Sequence, residues 1–477
     1  MDDRTPPNPL AAPSPAARPA SVRPPPSGPP AALPDITTGE IVMPEVPDDE
    51  RATNPRGHSP LRGPETQVLV SRHTSVAPPV GYVERVAEPP SADRCRDSVP
   101  AAPTPPRRVR ATPMPRRITR RDLLQTTAAL GAALAGCADD AAGAPADEPV
   151  VPVPAGMAAV GVVGGDDVAA AVERAVALAG GINEIRPGQT VFIKPNAVHP
   201  VSGTSGFPAV TTSIAVLQAV IRLVRRRRPG RIIVGDRSAR IFQSSFVFRL
   251  TGLREAALAA GADEVYEAPR PNQDEGAWQM VQPPGWEETW RAQGGILAMR
   301  KILEADHFID LPVCKNHRWA AISLSMKNLI GAIGDESRDP IHYTEGDADR
   351  ISRDIAILNG AFRPLISIID ARAALINGGP QGVGTDRVTV TPGLIFASRD
   401  RVALDAAAAS MMKFELGRTA VPMPDPMHAL LTSTRAWALP QIVHGAERGL
   451  GVASADRVAL RFEGARDAAA IEAVFRA

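Results

Sequence analysis

Lysine is nearly absent from this 477-residue chain: of 53 basic residues only Lys194, Lys301, Lys315, Lys327 and Lys413 are lysine. Arginine therefore supplies positive charge wherever a generic one suffices. A lysine that persists is a candidate for what arginine cannot do: present a compact ammonium, lose its proton on burial, or form a covalent adduct. Cysteine is scarcer still, at three residues, too few for a four-Cys iron–sulfur site or a disulfide framework. No apolar run is long enough to span a bilayer. An excess of positive charge is lacking too. Residues 1–137 hold 17 Arg and 14 acidic residues, leaving 36 basic and 38 acidic ones, a net charge near −2. That balance gives no footprint for nucleic acid.

Proline is abundant, and it is concentrated. Residues 1–115 contain 27 of the 49 prolines, with few periodic apolar stretches, and bury too little to offset their ordering entropy. Residues 1–113 are expected to be disordered, or untranslated if synthesis begins at Met114. The second expectation rests on residues 119–137. Thr119-Arg120-Arg121-Asp122-Leu123-Leu124-Gln125 precedes an apolar stretch, Thr126–Gly136, of the length of a signal segment. It resembles the twin-arginine export signal. Leu134-Ala135-Gly136-Cys137 resembles a lipobox, which implies lipidation of Cys137 and a membrane partner through that lipid. Residues 114–137 are thus expected to be a signal peptide, and 138–157 a tether.

Residues 158–477 read as one α/β domain with a mainly parallel sheet and helices on both faces. Val160–Val163 predicts a strand, and Asp166 or Asp167 caps a helix through Ala179. Thr190–Ile193 predicts a strand running into Lys194-Pro195-Asn196. Thr211 or Thr212 caps a helix striped by Ile214, Leu217, Val220, Ile221 and Val224. The run Arg225–Arg228 reads as its solvated last turn, and Arg231–Gly235 as a strand ending at Asp236. Residues 239–295, with Trp278, Trp286 and Trp290, read as an irregular insertion. Strands at His307–Val313, Leu365–Ile369 and Val388–Ala397 and helices at Met326–Ile333, Asp349–Leu358 and Val402–Met412 complete the pattern.

Polar groups gather where these strands end: Lys194 and Asn196, Asp236 and Arg237, Lys315 and His317, and Asp370. In an open parallel sheet, ligands bind beyond the carboxyl ends of the strands. Lys327 and Asn328 fall at the start of the next helix, whose amides favour an anion. Together these groups describe a site for a carboxylate, a phosphate or an anionic cofactor of unknown identity. His199, His307 and His342 are further candidates beside His317, but no two histidines have a zinc-type spacing. Gly378–Gly384 reads as a turn beside the site, because no strand–Gly-rich–helix order with a following Lys-Ser/Thr is present.

Several blocks resemble the domain-of-unknown-function family 362: Phe192–Asn196, Ile232–Asp236, Asp306–His317, Leu324–Gly331, Gly378–Gly384 and Ser398–Asp405. The resemblance runs in order over roughly residues 190–415, and the activity of that family is not established. Some of its members carry ferredoxin-like cysteine clusters that this chain lacks, so an iron–sulfur role does not transfer. A remoter similarity is to nickel-pincer lactate racemases, which place an Asp-x-Thr-Arg segment after a strand. Asp236-Arg237-Ser238-Ala239-Arg240 is similar to it in outline. There Lys and His residues hold a nicotinate-derived cofactor and move protons.

Three functions are then open. In the first, an exported protein clamps an anionic group with Lys194, Lys315 and Lys327, aided by Asn196, Asn328 and Asp370. His317 acts as acid or base, with Lys315 and Asp236 as its catalytic companions. The second is a lipoprotein that captures an anionic metabolite without chemistry. The third is an interaction module that uses the Trp-containing insertion.

Overall fold

The computed structural model describes residues 147, 149–342 and 346–477. The Pro-rich segment, Met114, the arginine pair and Cys137 lie outside them. Among the described residues the strands are β1 (Ala158–Gly164), β2 (Thr190–Pro195), β3 (Arg231–Asp236), β4 (Glu264–Glu267), β5 (Trp278–Val281) and β6 (Ile296–Met299). Next come β7 (His307–Leu311), β8 (Val313–His317), β9 (Ala321–Ser323), β10 (Ile366–Asn377), β11 (Val388–Val390), β12 (Leu394–Ser398) and β13 (Val458–Glu463).

The main sheet runs β13-β1-β12-β10-β7-β2-β3-β4. Only β12 opposes its neighbours; the other pairs on this path are parallel. The carboxyl ends of β7, β2 and β3 therefore open onto one rim. Alternation along each strand feeds two cores, as the two-residue repeat of a pleated strand requires. Val191 and Ile193 point into one core and Phe192 into the other; Ile232 and Val234 oppose Ile233, and Ile309 opposes Phe308. Helices Val168–Leu178 and Ile214–Arg226 cover the first face, and helix Arg401–Arg418 the second. Burying each such aliphatic or aromatic side chain contributes about 1.5–3 kcal/mol.

Several sequence expectations change in detail. Asp167 caps the first helix through the amides of Ala169 and Ala170, but Ser213 caps the second, displacing Thr211 and Thr212. The Thr212 hydroxyl is already committed, accepting from the Asn196 amide (2.9 Å) and donating to the Leu311 carbonyl (2.8 Å). The strand expected at His307–Val313 breaks at Pro312, which has no N–H for the ladder, and restarts as β8. β10 runs to Asn377, so Asp370 lies within the strand instead of at its end. The Val388–Ala397 strand is likewise interrupted, at Thr391-Pro392-Gly393.

Part of the supposed insertion is regular. Helices Ser244–Thr251 and Leu253–Ala260 lead into β4, which extends the sheet beside β3. The β5–β6 hairpin and its linkers make up the remainder. Trp278 and Trp290 are core residues there, and Trp290 Nε1 donates to the Ser337 carbonyl at 2.8 Å. The tryptophans thus pack this segment inward. Arg227, expected to be solvated, is buried, with Nη2 reaching Asp147 Oδ1 (3.1 Å) and the Asn183 carbonyl (3.4 Å).

Candidate functional site

Three of the five lysines meet above the carboxyl ends of β2, β3 and β8. Each is held differently. Lys194, fully buried at the end of β2, pairs its Nζ with Asp236 Oδ1 of β3 at 2.8 Å. Asp236 also accepts from the Ala197 amide through Oδ2 (2.7 Å). Gly331 lies against this pair: a Cβ there would stand 2.1 Å from Asp236 Oδ1 and 2.7 Å from Lys194 Nζ. Lys315 donates to Asn196 Oδ1 (3.0 Å) and the Val210 carbonyl (2.8 Å). Burial, with Lys327 and Lys194 nearby, lowers its pKa to about 7 against the opposing pull of Asp236.

Lys327 has no hydrogen bond or ion pair among the described residues, although only 8 % of its surface is exposed. Burial first, then Arg338, lowers its pKa to about 7. The hairpin β8–β9 explains its placement. With Lys315 opposite Ser323 and His317 opposite Ala321, β9 returns the chain along β8 and delivers Lys327 beneath the strand that carries Lys315.

A hydrogen-bond chain ties the lysine-bearing elements together. Lys315 donates to Asn196 Oδ1, Asn196 Nδ2 donates to Asn328 Oδ1 (2.8 Å), and Asn328 Nδ2 donates to Asp310 Oδ1 (2.8 Å). Asp310 is the in-register partner of Lys194 on β7. Its pKa is pushed up to about 6 by burial, against the pull of Lys194, Asn328, Ser325 and Arg401. The helix expected at Met326–Ile333 is one α-turn, Ser325–Asn328, continued by the tighter turn Leu329–Ala332. The anion that its N-terminus attracts belongs to the protein: Asp405 accepts from the amides of Ser325 (2.7 Å) and Met326 (3.0 Å). Asp405 comes from helix Arg401–Arg418, and burial raises its pKa to about 7.

His317 is buried, and its Nδ1 accepts from the Trp319 amide at 3.2 Å. In the neutral ring this leaves the proton on Nε2. Desolvation, then Lys327, His342, Lys315 and Arg318, holds its pKa well below 6.5. Trp319 stands edge-on to both His317 and His342, with ring centroids at 5.7 and 6.2 Å. His342, bonded to the Arg338 carbonyl through Nδ1 (2.9 Å), falls to about 4 through burial and Lys327. His199 falls to about 4 as well, through burial and Lys315, and its buried Nδ1 has no hydrogen-bond partner.

The structure thus gathers Lys194, Asn196, Asp236, Lys315, His317, Lys327 and Asn328. Asp370 is spent elsewhere, on the amides of Ser213 and Arg372 (both 3.2 Å). His307 lies at the opposite end of β7, against Gln189. Gly378–Gly384 forms a turn against β8, where the Gly379 amide donates to Asn316 Oδ1 (2.9 Å). Asp310, Asp405 and Trp319 were not singled out from sequence; an acid inside the apolar Phe308–Leu311 run and another in an Ala-rich helix were the available signals. In Asp236–Arg240, Asp236 pairs with Lys194, Arg237 with Asp335 (2.7 Å) and Arg240 with Asp339. The outline of the racemase segment therefore does not extend to charged groups left for a cofactor. A cleft of about 630 Å³ lies away from the amines, between Gly164–Asp166, Gly393 and Glu415–Arg418.

A family model described as Domain of unknown function (DUF362) matches residues 191–410. A thylakoid-associated protein of Synechocystis is 26 % identical over 167 residues, covering 32 % of this chain and 51 % of that protein. The chain thus spans about half the length of that relative. Among solved structures, the lactate racemase apoprotein of Thermoanaerobacterium thermosaccharolyticum aligns with a TM-score of 0.33 at 12 % identity, over 53 % of this chain and 58 % of that one. A Thermotoga maritima protein aligns with a TM-score of 0.29 at 14 % identity, over 43 % and 51 %.

Proposed function

We propose that this chain is an exported, lipid-anchored protein that binds a small anion between Lys315 and Lys327 and performs acid–base chemistry on it with His317. The carrying observation is Lys327: a largely buried lysine whose amine has no partner among the described residues, beside a second amine that is bonded only to neutral acceptors. Buried cationic groups are ordinarily paired, so an anion is the complement this pocket lacks. Lys194 and Asp236 already form an ion pair with each other. His317, neutral and with its tautomer set by the Trp319 amide, offers an Nε2–H to a ligand oxygen. Export and anchoring rest on the ordered succession of Arg120-Arg121, the apolar stretch and Leu134–Cys137.

Titration calorimetry with oxalate and with phosphate on the full chain tests the pocket. Lys315→Arg should weaken binding by about 2 kcal/mol or more, roughly thirtyfold, since a planar guanidinium cannot replace the ammonium between Asn196 and Val210. A wild type indifferent to both anions, or an unaffected variant, overturns the reading. Binding without deuterium exchange into any bound hydroxy or oxo acid would favour non-catalytic capture. Palmitate labelling in cells that vanishes in Cys137→Ser is expected of the anchor; unlabelled wild type contradicts it.

A further inference from the structure

Each of the five lysines is described, and four are engaged. Lys194 faces Asp236, Lys301 faces Glu264 (2.7 Å), Lys315 holds Asn196 and Val210, and Lys413 donates to the carbonyls of Leu431 and Thr432 (both 2.8 Å). Lys327 alone among them has its amine uncommitted. The four engaged amines have N–H groups committed to acceptors; Lys327 Nζ has none so committed among the described residues.

We infer that Lys327 is a nucleophile that condenses with the carbonyl group of a small 2-oxo acid whose carboxylate is received by Lys315. This rests on the anion-binding reading above and adds the substrate class. Lys315 has three N–H donors and uses two, on Asn196 and Val210; the third is available to a carboxylate. Lys327 acts electrostatically on both Lys315 and His317, so the carbonyl adjoining that carboxylate is assigned to Lys327, with the His317 Nε2–H to polarise it.

The chemistry closes without an oxidant or reductant. The Lys327 Nζ lone pair adds to the carbonyl carbon, the C=O π pair moves to oxygen, and a proton passes from nitrogen to that oxygen. The hydroxyl then takes a second proton from solvent and leaves as water while nitrogen forms the C=N bond, and the resulting iminium returns a proton to solvent. Amine plus ketone gives imine plus water. Such attack needs an unprotonated amine, and the lowered pKa of Lys327, about 7, leaves a substantial neutral fraction at neutral pH.

Incubating the full chain with glyoxylate and sodium cyanoborohydride, followed by peptide mass spectrometry, reads this out. The imine is reduced to a stable carboxymethyl-lysine. Lys327 should label at least about tenfold faster than Lys301 or Lys413, because an ordinary amine is almost wholly protonated at pH 7, and faster than Lys315, whose amine is held by Asn196 and Val210. Oxalate should suppress the labelling, and Lys327→Met should abolish it. The wild-type map needs no variant to fold. Labelling spread evenly over Lys301, Lys413 and Lys327 overturns the inference, as does labelling of Lys315 in preference to Lys327. Oxalate binding with no adduct at Lys327 overturns the nucleophile and spares the anion pocket. No oxalate binding and no adduct overturns both.

Discussion

At the scale of single residues, Lys327 costs the fold stability: a largely buried lysine without a counter-charge among the described residues loses much of its hydration uncompensated. Lys327→Met keeps the length and apolar stem and removes that cost. The variant should be more stable than wild type by about 1–2 kcal/mol in urea melts at pH 7, while losing anion binding. A destabilised Met variant would mean that the amine has an internal partner after all. The scarcity of lysine made this residue visible in the sequence, along with Lys194 and Lys315. Composition could not say which of the five would meet, because Lys301 and Lys413 are equally rare and lie elsewhere, on Glu264 and on two carbonyls. Asp370 misled for a related reason: an acid after an apolar run looks like a strand end, yet β10 continues past it to Asn377.

At the scale of elements, the site depends on how the short turn Ser325–Asn328 is pinned. Asp405 holds its first amides, Asn328 reaches Asp310, and Gly331 closes over the Lys194–Asp236 pair. Gly331→Ala places a methyl 2.1 Å from Asp236 Oδ1, so the ion pair must separate. Separating a buried pair is expensive, and a loss of about 2–4 kcal/mol in thermal or urea unfolding is expected, with anion binding abolished. Wild-type stability in this variant would contradict the packing described. Elements with a strong hydrophobic stripe, such as Ile214–Arg226, were legible in the sequence almost to the residue. The β8–β9 return was not, because a three-residue strand carries too short a pattern, and the break at Pro312 is visible only once the ladder on both sides is known. The two helices ahead of β4 were lost among the Trp, Pro and Gly residues of the segment after them.

At the scale of the whole molecule, a mostly parallel sheet places β2, β3, β7 and β8 so that residues more than a hundred positions apart share a proton-sensitive cluster. Parallel strands and covering helices were legible from alternating patterns. Strand order was not, since nothing local specifies that β7 inserts between β2 and β10. The pocket links anion binding to protons. Lys315 and Lys327 titrate near 7 in the fold and near 10.4 when unfolded. Between pH 7 and about 10 the unfolded chain therefore binds more protons than the native one, and these two groups make stability rise with pH in that window. An anion reverses the preference, because its charge favours the ammonium forms.

Calorimetric titration of oxalate at pH 8 in buffers of different ionisation enthalpy measures that coupling directly. Uptake of about one to two protons per bound oxalate is expected at pH 8, as one or both amines become charged, falling toward zero below pH 6, where both are already charged. Binding with no proton uptake at pH 8 would contradict the pair of amines with lowered pKa that the proposed anion charges.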